Sequence, residues 1–447
     1  MKPSGPPSVR FDPQRRARSS ELRAAIKALA AFLEQREEEL RPRKRARKAA
    51  DWRHFRLAVE AIACNLITLP LMAKDRPLAV PRKATAMWRN KRYGNPVYGQ
   101  HFLDAIDVMA HDEVNLIAVL TRGYRIEGVG KQNTTIVPTT AFAERFPPSL
   151  AGWDAIDRAT EPEVLILKAA KEGDAEHGKI IDYANTRETR RLRKEVQRIN
   201  SALERAPVLM VADGEPPADG KDGQPIDPLR RTVRRIFNNG SWREGGRLFD
   251  GFWESMRRED RFRLLRIRSA AHPEGEPIAN VDFSQLFPRL AYWRVKATPP
   301  DDDLYDLIGG GLPRDGLKKL FNSLFYRPLR NWPAETAELF PEGTKLRDAV
   351  RLISDAHAPI ARLFGTGVGY GLMFAESCIL IEALGTLYGQ GIAALPLHDS
   401  VLVARSEADA AKRAMMDAFT AATGVSGGKL KIDFGEEIRG EQRLRLP

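Results

Sequence analysis

The sequence predicts an α+β protein: a mainly helical, basic N-terminal region followed by a C-terminal half built on short apolar strands. Two observations carry the C-terminal prediction. Asp282 lies in Val281-Asp-Phe-Ser-Gln-Leu286 and Asp399 in Leu397-His-Asp-Ser-Val-Leu-Val403, each an acid set in a β-prone apolar run. A third carries the N-terminal prediction: apolar residues recur at helical spacing through 22–32 and 55–67, ahead of a glycine-containing hairpin at 123–138.

At 447 residues the chain can bury more than one core, which suggests two to three domains. Its 43% apolar and 29% charged residues are those of a soluble globular protein. No run of eighteen apolar residues occurs and the first residues are polar and basic, so neither a membrane span nor a secretory signal is expected, and the expected location is cytoplasmic. Cys64 and Cys378, the two cysteines, are too few for a disulfide framework or a zinc site and read as small buried hydrophobes. The formal net charge of +12 favours polyanionic partners.

Residues 1–50 form a basic N-terminal segment with a helix. Ser19 or Ser20 caps that helix, which runs through Leu22, Ile26, Leu29 and Phe32 to the acids Glu37, Glu38 and Glu39. The run from Arg41 to Lys48 holds six cations in eight residues and reads as a solvated, mobile stretch. In 51–150, helical patterns give way to two β-prone pieces, 123–126 and 134–138, joined by 127–133. Helices followed by a basic hairpin resemble a winged helix, with Arg122, Arg125 and Lys131 placed to touch a duplex backbone; the plainer alternative is a helical domain with a surface hairpin. Residues 151–230 are a basic helical connecting region, thumb-like in position: a strand at 164–168, then a helix at 186–203 with Arg187, Arg190, Arg191, Arg193, Lys194 and Arg198. A loop rich in Gly, Pro and Asp at 213–228 marks a boundary.

The chemistry concentrates in 231–447. A carboxylate between apolar neighbours is costly to bury unless it is paired or binds metal, and Asp282 and Asp399 are the obvious partners. Nucleotidyl transfer needs two divalent ions about 4 Å apart, one activating a 3′-hydroxyl and one neutralising pyrophosphate. Hard oxygen ligands suit Mg²⁺, with Mn²⁺ as substitute. Between the acids, Arg314, Lys318, Asn322 and Tyr326 recur every four residues and form one helical stripe, a rack for a nucleoside triphosphate. Surface helices with Arg and Lys four apart are common, so position between the acids is what distinguishes this one.

These segments resemble a known superfamily. Asp282-Phe-Ser-Gln-Leu resembles motif A of family A DNA polymerases, 314–326 their motif B helix, and Leu397-His-Asp-Ser their motif C; the His-Asp-Ser form is similar to bacteriophage-type single-subunit RNA polymerases. Gly245-Gly-Arg247-Leu resembles the segment that contacts the primer-template strand. The resemblance covers about 240–425 and implies a right-hand palm with short helical fingers. It implies Asp282 and Asp399 as metal ligands with the Phe283 carbonyl assisting, and Lys318 as a catalytic cation. It further implies Arg314 and Lys318 on the triphosphate, Asn322 and Tyr326 near the nascent base pair, His398 near the primer end and Arg247 on the nucleic acid. Departures matter. Phe287 stands where DNA polymerases of this family carry a Glu that excludes the ribose 2′-hydroxyl, and its bulk favours dNTPs. Asn322 replaces Phe or Met, Ser400 replaces an acid, the interval between motifs is short, and no block resembles a proofreading exonuclease.

Three further motifs are set aside. His111-Asp-Glu-Val114 matches motif C by chance ahead of motif A, 365–371 lacks the leading strand of a dinucleotide fingerprint, and 309–311 reads as the loop before the motif B helix. The expected function is a compact, metal-dependent DNA polymerase acting on a DNA primer-template or single-stranded template, serving a mobile element or plasmid. The alternatives are a primase or RNA polymerase and a non-catalytic DNA-binding replication initiator.

Overall fold

The computed structural model describes residues 7–435, except 44, 74, 83–91, 127–129, 174–177, 212–216, 307–310, 426 and 427. The chain divides into two units, the first comprising Met1–Glu163, Pro216–Arg230 and Ser255–Arg257 and the second the remainder. The Gly/Pro/Asp loop foreseen as a boundary thus contributes residues 216–230 to the first unit, where Asp227 meets the buried Arg15 at 2.9 Å.

In the first unit, helix α1 (Ser20–Leu40) starts where Ser19 Oγ accepts from the Leu22 amide at 3.2 Å. Leu22, Ile26, Leu29 and Leu33 form its buried stripe. It packs with α2 (Ala49–Met72) and α3 (Gln100–Met109), and a short α4 (Thr140–Arg145) follows. Beside the helices lie strands β1 (Val9–Arg10), β3 (Leu78–Val80), β4 (Ile117–Thr121) and β7 (Thr134–Pro138), in the sheet order β1-β3-β7-β4. Strand β2 (Arg15–Ala17) pairs with β8 (Ile156–Arg158). The hairpin pairs β5 (Tyr124–Ile126) with β6 (Gly130–Gln132), one strand earlier than the sequence pattern suggested, because β7 is drawn into the four-stranded sheet.

The cationic run at 41–48 is exposed at all its described residues but Arg47, as expected, yet two of its arginines clamp buried acids. Arg43 reaches Glu37 at 2.7 Å and Asp104 at 2.6 Å, and Arg47 reaches the same two acids at 2.6 and 2.7 Å. The side chains of Arg47, Glu37 and Asp104 are only 6%, 2% and 3% exposed. Removing one member of such a buried set leaves a charge uncompensated. Arg47→Ala is therefore expected to destabilise the fold by ~3 kcal/mol, read as a lower urea midpoint.

Among the described residues two helices, α2 and the Gly369–Gly389 helix of the second unit, are long and apolar enough to cross a membrane by length and composition. Twelve residues of α2, from Phe55 to Leu69, are buried within the first unit.

In the second unit β9 (Leu165–Leu167), β11 (Arg234–Phe237) and β12 (Gly245–Phe249) form a three-stranded sheet. The larger sheet runs β10 (Val208–Met210), β13 (Leu265–Ile267), β14 (Glu276–Phe283), β16 (Ser400–Ala404), β15 (Leu395–Leu397), and β17 (Leu430–Asp433) also pairs with β14. All its pairings are antiparallel. Its helices are α5 (Arg187–Arg205, capped by Thr186), α6 (Arg258–Leu264), α7 (Leu286–Arg294), α8 (Arg314–Leu324), α9 (Leu346–Ala356), α10 (Gly369–Gly389) and α11 (Ala408–Thr423). Helix α10 packs on α11, α7 and β12. The expected α+β class is what is observed: mixed helices with several sheets.

Candidate active site

From Ala279 onward strand β14 alternates buried and half-buried residues, which brings Asp282 to the half-buried face near its C-terminal end. Register places Ser400 opposite Asp282 on one edge and Lys431 on the other. Asp399 immediately precedes Ser400 in the two-residue turn between β15 and β16. His398, the first turn residue, takes φ 59° and Asp399 does not share the positive sign, the pattern of a II′ hairpin turn. The two acids foreseen from sequence thus come to the same end of one sheet.

Their electrostatics are those of a crowded acidic pair. Burial, and next the charge of Asp399, push the Asp282 carboxyl up to about 7, against the pull of Lys318 and Lys431. Burial likewise raises Asp399, opposed by Arg247 and Lys318. Among the described residues no three His, Cys, Asp or Glu side chains form a metal-binding group. The Asp399 charge disfavours that of Asp282, and both carboxylates are penalised by burial, a cost that a divalent cation held by them would relieve.

A third acid, missed from the sequence, completes the electrostatics. Glu376 of α10 has a fully buried side chain and receives Arg247 in a fork, Nε at 2.5 Å and Nη2 at 2.9 Å. Burial raises Glu376 to about 7 despite that partner. The signal was present: Glu376 sits alone in the apolar stretch 372–381, the same kind of anomaly that marked Asp282. Arg247 also lies with its guanidinium 5.7 Å from the Phe287 ring centroid. Gly246 before it takes φ 81°, and a Cβ there would meet Ser377 Oγ at 2.9 Å, so the close approach of β12 to α10 requires glycine.

The remaining stripe is distributed along and beyond α8. Lys318 is exposed yet acts on both acids. Arg314, expected to face phosphates, is engaged by Asp303 at 2.7 Å, with its guanidinium 5.6 Å from the Tyr305 ring centroid. Asn322 Oδ1 accepts from Tyr305 Oη at 3.5 Å. Tyr326 lies in the turn after α8, its ring 5.1 Å from Tyr370 and its hydroxyl raised to about 12 by burial. Phe287, in the first turn of α7, is half-buried and 6.4 Å from Phe325. His398 stands 5.8 Å from the Phe249 ring. The Phe283 side chain is buried against Phe419, and its backbone pairs opposite Leu430. Arg122 is exposed in the first unit, whereas the side chains of Arg125 and Lys131 lie outside the described residues. Of the glycines at 309–311 only Gly311 is described, with φ 60°.

No family model matches the chain, and no curated protein matches it either. Among solved structures the chain is similar to the POL domain of Pol1 from M. smegmatis, solved in complex with DNA primer-template and dNTP. Identity is 13% and the TM-score 0.31, over 55% of this chain and 51% of that one. The match therefore spans about half the length of that domain.

Proposed function

We propose that the second unit is a metal-dependent DNA polymerase that adds dNTPs to a 3′-hydroxyl on a DNA primer-template. The observation that carries this reading is the pair Asp282 and Asp399, held at one sheet end with both carboxyls raised by burial and, at Asp282, by its partner's charge. In this reading β13, β14, β15 and β16 are the palm and α8 with α9 the short fingers. Asp282 and Asp399, with the Phe283 carbonyl, would hold two Mg²⁺ or Mn²⁺ ions, which when bound activate the 3′-hydroxyl and neutralise the departing pyrophosphate. Lys318 adds positive charge beside both acids, where the triphosphate would bind. Arg314 would exchange Asp303 for phosphate, and Asn322 and Tyr326 would flank the nascent pair, with His398 at the primer end. The first unit, with Arg122, Arg125 and Lys131, would grip nucleic acid through its hairpin, in the manner of a winged helix.

Primer extension tests the reading: purified protein, labelled primer-template, Mg²⁺ or Mn²⁺, dNTPs or NTPs, beside Asp282→Ala/Asp399→Ala and an unprimed single strand. Template-directed dNTP products lost in the double variant support it. Products from the unprimed strand move the assignment to a primase, the alternative suggested by His398-Asp399-Ser400. No product in any arm favours a non-catalytic DNA-binding initiator.

Phe287 is assigned to sugar selection. Its ring is held between Arg247 and Phe325. Phe287→Ala is expected to raise ribonucleotide incorporation relative to dNTP by at least about tenfold, the scale of one steric contact in a pocket. Unchanged NTP/dNTP discrimination in single-turnover assays would remove the residue from that role.

A further inference from the structure

A cavity of about 820 Å³ opens in the second unit between the end of α7, the segment after it and the end of α11. Its volume lies in the ~300–1,000 Å³ range of small-molecule sites. Arg289, Arg294 and Lys296 line it together with the rings of Trp293 and Phe419, and no acid is among its lining residues. Arg289 is the distinctive member. It is 4% exposed, and its Nε has no hydrogen-bond partner. Its one side-chain bond, to Gln285 Oε1, is long at 3.4 Å. Asp301 and Asp303 act on it through space without a hydrogen bond, and Asp303 is taken by Arg314. A buried guanidinium N–H left unmade is expensive, more so than for a neutral group. Lys296 turns the chain through φ 57°, its amide donating to the Trp293 carbonyl at 2.9 Å, so that Lys296 and Arg294 line the same space. Val425, 51% exposed, adds apolar surface to the lining.

We infer that this cavity binds a free mononucleotide, its phosphate on Arg289, Arg294 and Lys296 and its base against the half-buried Trp293, with Phe419 closing the floor behind it. Three cations without a lining acid select an anion, and the indole face of Trp293 selects a flat aromatic body. The site is separate from the Asp282–Asp399 pair, so its occupancy does not depend on the polymerase reading.

The test is calorimetric titration of the full-length Asp399→Asn protein in EDTA with AMP, inorganic phosphate and adenosine as probes. AMP is expected to bind more tightly than either fragment. Arg294→Ala/Lys296→Ala, which alters exposed side chains only, is expected to weaken AMP by at least about tenfold, the scale of one lost charge-assisted bond. Quenching of Trp293 emission by AMP, abolished in Trp293→Phe, gives an independent readout. Absence of AMP binding overturns the assignment, as does undiminished affinity in the double variant. Inorganic phosphate binding as tightly as AMP would overturn the part given to Trp293.

Discussion

Under the proposed polymerase function, Asp399→Asn is expected to lower kcat/KM for nucleotide addition by about three orders of magnitude or more, because it would remove the charge of an oxygen that holds the metal, where neutralisation would supply several kcal/mol. In EDTA the same substitution is expected to stabilise the protein. The wild-type fold buries two like charges together, and losing one relieves Asp282. The pH dependence follows in sign. Both carboxyls titrate higher in the folded protein than in the unfolded chain, so the folded state holds extra protons above the ordinary carboxylate range, those of Asp282 up to about 7. Metal-free wild type therefore loses stability as pH rises through that interval, and Mg²⁺ reverses the loss by favouring the charged forms. Thermal unfolding from pH 5 to 8, with and without Mg²⁺, checks this. A wild-type profile that is flat in EDTA, or an Asp399→Asn melting temperature that still rises with Mg²⁺ as in wild type, would contradict the paired-acid account. Some slope persists in the variant, because Glu376 is raised as well.

Arg247→Ala is expected to cost ~3–5 kcal/mol of stability at pH 8, since it strands the fully buried Glu376 carboxylate. Below about pH 6 the cost shrinks, because Glu376 takes up a proton in the fold and no longer needs its partner. The double variant Arg247→Ala/Glu376→Ala should recover ~1–3 kcal/mol of the two single losses combined, the coupling of a contacting charged pair. Additive single losses in urea unfolding would show that the fork contributes nothing of its own. Primer extension by Arg247→Lys separates packing from geometry, for lysine keeps the charge near Asp399 but loses the two-pronged grip.

Asp282 and Asp399 were legible in the sequence because an acid in an apolar strand is an energetic anomaly that local pattern alone exposes. Helix α8 was legible by its period, and α1 by Ser19. What the pattern hid was partnership across long separations. Arg43 and Arg47 looked solvated because their run is dense in charge, yet one partner, Asp104, lies about sixty residues away in sequence. Arg314 looked free for phosphate because Asp303 lies outside the helix that carries the stripe. Lys431 could not be assigned to Asp282 from sequence, since only the register of β17 on β14 brings them level. Glu376 carried a readable signal, but without a known partner a single buried acid in a long apolar helix has no stated role.

Strand β14 has neighbours on both edges: β16 along 278–282, with β13 and then β17 on the other side. Its central amides are therefore expected to exchange with solvent deuterium only through the rarest, largest openings of this unit. Asp399 rides instead on a two-residue turn whose first strand, β15, pairs with β16 alone. One acid is fixed by the slowest-opening part of the sheet and the other by a hairpin tip beside an edge strand. Any breathing that changes the spacing of the two carboxylates must then come from the Asp399 side.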